Sequence, residues 1–98
     1  MASIRFEWDP AKNVQNIRKH GVPFLEAETV FTDDHGLLID DPDHSAMEDR
    51  FALLGLSVRL RVLLVVHAYH EDDEVIRIIS ARRATKAERA RYDERWKP

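Results

Sequence analysis

The stretch RFALLGLSVRLRVLLVVHAYHEDDEVIRIISAR, residues 50–82, decides the fold. It reads as three strands, Arg50 to Leu56, Leu60 to His70 and Val75 to Arg82, because β-branched and large apolar residues fill the runs and turn residues separate them. Gly55 to Arg59 marks one hairpin, and Glu71-Asp72-Asp73-Glu74 marks the other. Strands joined this tightly pair antiparallel, so a meander is expected.

Upstream, Leu37 to Ile39 reads as one more strand, closed by the turn-rich Asp40-Asp41-Pro42-Asp43. Before it, Asp9-Pro10 is a helix start, since the Asp carboxylate accepts from free N–H groups and Pro at the first helical position loses nothing. Ala11, Val14 and Ile17 fall on one face, and Gly21 can take the left-handed conformation that ends the helix, giving a span of about Pro10 to His20. Pro23 opens a second, shorter helix in which Phe24, Ala27, Val30 and Phe31 recur at spacings of three and four. Downstream, Thr85-x-x-Glu88 is a capping box, and a last helix is expected from about Lys86 to Arg95 with a thin apolar face of Ala87, Ala90, Tyr92 and Trp96. The expectation is a single α+β domain over residues 1–98, of order ααββββα: two N-terminal helices, a four-stranded antiparallel sheet and a C-terminal helix.

Composition fits that reading. With 98 residues, 44% of them hydrophobic and 34% charged, the chain suits one small globular domain that buries roughly 65% of its unfolded surface. It has no cysteine, which excludes disulfides and thiolate metal sites. Arg5, Glu7, Asp9 and Lys12 interrupt any apolar run at the start, and the run Val62 to Val66 is far too short to span a bilayer, so a cytoplasmic protein with no membrane association is expected. The net charge of −3 hides a bipolar distribution. Glu26 to Asp49 holds nine acidic residues and no Lys or Arg, whereas Ile76 to Pro98 holds eight basic residues against three acidic. A basic end can meet phosphate, and an acidic stretch can meet a basic protein or simply stay solvated.

Strand parity sorts the polar side chains. In the long strand Arg61, Leu63, Val65, His67 and Tyr69 share one face, expected to be half open, and Val62, Leu64, Val66, Ala68 and His70 share the other, expected to pack under helices. In the last strand the same rule separates Arg77 from Arg82. Cleavage of a phosphodiester without a metal needs a base for the attacking hydroxyl, cations for the charged transition state and an acid for the departing oxygen. Lys19, Arg61, Arg77 and Arg82 could supply charge, with arginine suited to phosphate by its two-pronged fork; His44, His67, Glu48 and Tyr92 are the candidates for proton transfer. Each also has a plainer role. Lys19 and His20 complement a helix dipole, His44 sits in a turn, Glu48 and Arg50 form a surface pair, Arg77 and Arg82 are rim charges, and Tyr92 is core. The run from Asp33 to His44 is rich in Asp and His but matches neither an EF-hand loop nor an H-E-x-x-H pattern, so no metal or other cofactor is expected.

Taken in order, Phe6-Glu7-Trp8-Asp9-Pro10, Lys19-His20-Gly21, His44-Ser45 with Glu48 and Arg50, Gly55, Arg61, the block Arg77-Ile78-Ile79-Ser80-Ala81-Arg82, and Glu88, Arg89 and Tyr92 resemble the BrnT family of toxins from bacterial type II toxin–antitoxin pairs. The resemblance spans about Phe6 to Tyr92. It implies a RelE-like fold, ribonuclease activity that arrests translation, and a ribbon-helix-helix antitoxin, BrnA, that neutralises the toxin and binds the operator, so that operator DNA is met only through the antitoxin, in a heterotetramer. It carries catalytic roles to Lys19, His20, Arg61, Arg77 and Arg82; His44, Glu48, Arg50, His67 and Tyr92 are the candidates for contacts with substrate. One departure stands out: family members usually have Gly before the arginine of the long strand, where this chain has Leu60. The alternative reading is a catalytically inert member that binds the antitoxin and tunes repression. Convergence of Lys19, Arg61 and a last-strand arginine on one face favours the enzyme, and scattering favours binding alone.

Overall fold

A computed structural model describes residues 4–41, 50–70, 72 and 74–97. Strand β1 (Arg5–Glu7) leads into α1 (Pro10–His20), a single turn α2 (Phe24–Ala27) and a 3₁₀ helix (Glu28–Thr32). Then follow β2 (Leu37–Asp40), β3 (Phe51–Leu56), β4 (Val62–His70), β5 (Val75–Arg83) and α3 (Lys86–Glu94). The five strands form one mixed sheet of order β1-β5-β4-β3-β2.

The meander and the final helix are as the sequence indicates, but two features of the expected architecture are corrected. The sheet is not four antiparallel strands: Phe6 and its neighbours add a fifth, pairing parallel to Val75–Arg77. Three residues carry no periodicity, and the partner lies some seventy positions away, so nothing local marks them as a strand. The second N-terminal helix is also shorter, giving way to 3₁₀ geometry after Ala27 as the chain closes on β3. There a Cβ on Gly55 would stand 2.9 Å from the Cβ of Val30, so only glycine permits the approach.

Helix α1 keeps its expected ends. The Asp9 carboxylate accepts from Ala11 N–H at 2.9 Å, and Gly21 takes φ 69°. Its docking face is not the apolar stripe, however, because Val14 and Ile17 are exposed. The helix is instead seated by buried Asn16, whose amide donates to the carbonyls of Val22 and Ala81 at 2.8 Å each and accepts from Ala81 N–H at 3.1 Å. These bonds satisfy backbone groups on the outer edge of β5 beyond the short β1, which would otherwise be an open edge.

The two sheet faces are each covered. Val22, Phe24, Ala27 and Val30 pack on Leu63, Val65, Ile78 and Ala81, while Tyr92 of α3 packs with Ala52, Leu54, Val62, Leu64 and Val66 on the opposite face. The face expected to be half open therefore lies under the N-terminal helices. Each fully buried Leu or Ile here contributes about 1.5–3 kcal/mol relative to exposure.

Strand β5 contains an irregularity that parity could not reveal. His67 pairs with Ile78 but Val66 pairs with Ser80, so Ile79 is an inserted residue. Beyond it every side chain changes side. Arg82 is aligned with Leu64 and Arg77 with Ala68, which brings both arginines to the α3 side of the sheet.

Candidate functional site

Two ion-paired centres stand on opposite faces of the sheet. On the α2 side, Glu26 is buried with its side chain 3% exposed. Its carboxylate accepts from Arg61 Nε at 2.9 Å and Ser57 Oγ at 2.7 Å, Arg61 Nη2 donates to the second oxygen, and Arg59 Nη1 lies 3.8 Å away. The Arg61 bonds, against the cost of burial, hold the Glu26 carboxyl below the usual carboxylate value. Arg61 also donates to the Gly21 carbonyl at 3.3 Å, so it ties the β3–β4 turn to the end of α1. Lys19 and His20 belong to this end of the molecule, with Lys19 exposed and His20 partly buried.

On the α3 side, Arg82 and Glu88 form a two-pronged pair, Nη1 to Oε1 at 2.7 Å and Nη2 to Oε2 at 3.0 Å, with side chains 23% and 14% exposed. The same carboxylate accepts from Thr85 N–H at 2.8 Å while Thr85 Oγ accepts from Glu88 N–H, completing the capping box. Arg82 is the main reason the Glu88 carboxyl sits below its usual value. Glu88 lines a groove of about 540 Å³ with Leu38, Ile39, Asp40, Phe51 and Arg91. Phe51 borders this groove from the start of β3, but its ring is on the opposite face of the sheet, against His67 and Tyr69. Further along the same strand and face, Arg77 Nη1 lies 3.6 Å from Glu7 of β1.

Two other expected site residues are buried. His67 is fully enclosed against Phe31, Phe51 and Tyr69, and burial pushes its pKa down. Its Nδ1 is 3.0 Å from the Val65 carbonyl, which requires a proton there, so neutral Nε2 accepts from Tyr69 Oη at 3.2 Å. Tyr92 donates to Asp33 at 2.6 Å, and burial followed by that bond raises its pKa to about 12. Burial alone would raise the Asp33 carboxyl, but Tyr92 and the N–H groups of Leu56 and His35 together bring it below its ordinary value. Arg50 is half-buried immediately before β3. His44 and Glu48 lie outside the described residues.

The expected cations therefore fall into two sets, Lys19, His20 and Arg61 on one side and Arg77 with Arg82 on the other. Sequence reasoning passed over Glu26 and Asn16, which carry no local signal of their roles, weighed Asp33 only within an acidic cluster, and recognised Glu88 as a cap and part of the family pattern but not as the partner of Arg82. No cluster of three or more His, Asp or Glu suited to a metal ion occurs among the described residues.

A family model described as "Ribonuclease toxin, BrnT, of type II toxin-antitoxin system" matches residues 8–88. No curated protein matches the chain. The 1.1 Å crystal structure of the Brucella abortus ribonuclease toxin BrnT is similar in fold, with a TM-score of 0.67 at 23% identity over 86% of this chain and 100% of that one.

Proposed function

The chain belongs to the BrnT family of ribonuclease toxins of type II toxin–antitoxin systems, and from that membership we propose that it is an endoribonuclease whose RNA substrate lies in the groove lined by Glu88, Arg91 and Phe51. The Arg82–Glu88 pair carries this reading. A carboxylate kept ionised by a guanidinium can take the proton of a ribose 2′-hydroxyl as that oxygen attacks the adjacent phosphorus. Arg82, with Arg91 on the lining of the groove, then meets the charge that grows on the phosphate oxygens. Base and cation both come from the protein, so the chemistry needs no metal.

Tyr92 and His67 are unsuited to protonating the departing 5′-oxygen. One is bound to Asp33 with its pKa near 12, and the other is enclosed and neutral. That proton comes from solvent or from His44. By the same proposal the enzyme acts in the cytoplasm to inhibit translation. It is neutralised by a BrnA-like ribbon-helix-helix antitoxin in a heterotetramer that reaches operator DNA through the antitoxin.

A second reading, a catalytically inert partner of the antitoxin, draws support from the separation of Arg61 from Arg77 and Arg82. Induction of the chain alone, followed by primer-extension mapping of cellular RNA, decides between them. Growth arrest with discrete new 5′ ends supports the enzyme, and intact RNA despite soluble expression supports the inert partner.

A further inference from the structure

Resting on the reading of this chain as one half of a toxin–antitoxin pair, we propose that the antitoxin docks in a second groove, between α2, the Ser57–Arg61 turn and the end of α3. The occupant is an amphipathic antitoxin segment that presents apolar side chains flanked by Lys or Arg. This groove encloses about 850 Å³, and its lining includes Leu25, Glu28, Asp33, Val58 and Trp96. Leu25 is 66% exposed and Val58 73%, with Leu60 on the same turn at 75%. Isolated exposed aliphatics need no explanation, but several gathered around one concavity mark a surface that is covered in the working state.

Charge identifies what covers it. Glu28 and Asp33 line the groove, exposed Asp34 adjoins it, and no Lys or Arg occurs from Glu26 to Asp49. Asp33 keeps its negative charge because its hydrogen-bond donors, Tyr92 and two backbone N–H groups, are all neutral. Of the cations near the rim, Arg59 lies 3.8 Å from buried Glu26, and Arg95 at the end of α3 donates to the carbonyls of His35 and Gly36. The Glu88 groove also holds Asp40, but Arg82 and Arg91 stand at its carboxylate. Among the described residues no Lys or Arg is bonded to Glu28 or Asp33 here, so RNA suits the Glu88 groove on the other side of the sheet and a basic polypeptide belongs here. A second copy of this chain, at net charge −3, is a poorer complement. The volume admits a few side chains from one helical face, the groove-binding mode in which apolar anchors supply affinity and flanking charges supply direction.

The test uses purified full-length chain and the antitoxin encoded beside it, titrated by calorimetry. Leu25→Glu with Val58→Glu places two carboxylates in the groove, and both positions are exposed, so the fold is retained and melting confirms it. Affinity should fall about 30-fold or more, the loss typical of central anchors. Glu28→Lys should weaken binding on its own, while Val14→Glu on the exposed face of α1 should not. Unchanged affinity in the double variant, a larger loss from Val14→Glu, or antitoxin that does not bind the wild-type chain at all would each overturn the proposal. So would self-association that the double variant disperses while antitoxin affinity holds. Binding through the groove by a chain that leaves RNA intact would sink the ribonuclease reading and leave this one standing.

Discussion

Ile78 and Ala81 lie three residues apart in β5 and bury their side chains in the same cluster. Simple alternation would put them on opposite faces, and the inserted Ile79 is the reason they share one. By the same step Arg77 and Arg82, five apart, come to the α3 side together.

If Glu88 is the base, Glu88→Gln should lower the RNA cleavage rate by about 10²- to 10⁴-fold. Glutamine keeps the capping box but gives up the charge that pairs with Arg82, so the melting temperature should fall modestly and cleavage is compared below both melting temperatures. Cleavage within a few-fold of wild type would remove Glu88 from the chemistry.

Arg82→Ala should abolish growth arrest, with a loss of roughly 10²- to 10³-fold in cleavage for one charged contact to the transition state. It should also move the acid limb of the pH–rate profile upward, because Arg82 is what holds the Glu88 carboxyl below its usual 4.5. Unchanged toxicity in a well-expressed variant would exclude Arg82.

Leu60 is held at φ 63°, a left-handed conformation in which its side chain gains nothing, being 75% exposed. Leu60→Gly relieves a strain of roughly 1–2 kcal/mol, offset in part by about 0.5–1 kcal/mol of extra freedom in the unfolded chain. A net gain of up to about 1.5 kcal/mol should raise the melting temperature by about 4–8 °C per kcal/mol in a domain of this size.

Arg61→Ala strips the main partner from a carboxylate only 3% exposed, and should destabilise by about 3–5 kcal/mol. Denaturant unfolding measures this. Little change in the midpoint would mean that Arg61 is not the clasp between the turn and α1, and would free it for a role at substrate.

Acid stability follows from His67 and the three depressed carboxyls. The folded His67 pKa lies below 6.5, so the unfolded chain takes up the proton first, and stability falls as pH drops below 6.5. Glu26, Glu88 and Asp33 also have folded values below their usual ones, so their contributions are present above about pH 4.5 and are lost as pH falls toward the folded values. Melting followed from pH 7.5 to 3.5 should show both onsets, and His67→Phe should remove the first. A single onset near pH 4.5 in the wild type would contradict the burial of His67.

The sequence by itself determined the parts governed by neighbours: the ends of α1 at Asp9 and Gly21, the Thr85–Glu88 cap, the three-strand meander and the family. Local hydrogen bonding, short connections and the spacing of whole blocks suffice for those. It also carried the separation of charge along the chain. Only the tertiary structure decided how those pieces meet. The parallel pairing of Phe6 with Ile76, the seating of α1 by Asn16 rather than by Val14 and Ile17, the clasp of Arg61 on Glu26 and the second role of Glu88 all join residues without a local pattern. The bulge at Ile79 is the sharpest case. Period-two alternation is a rule for a regular ladder, and one inserted residue, invisible among the isoleucines around it, reverses which face every later side chain serves.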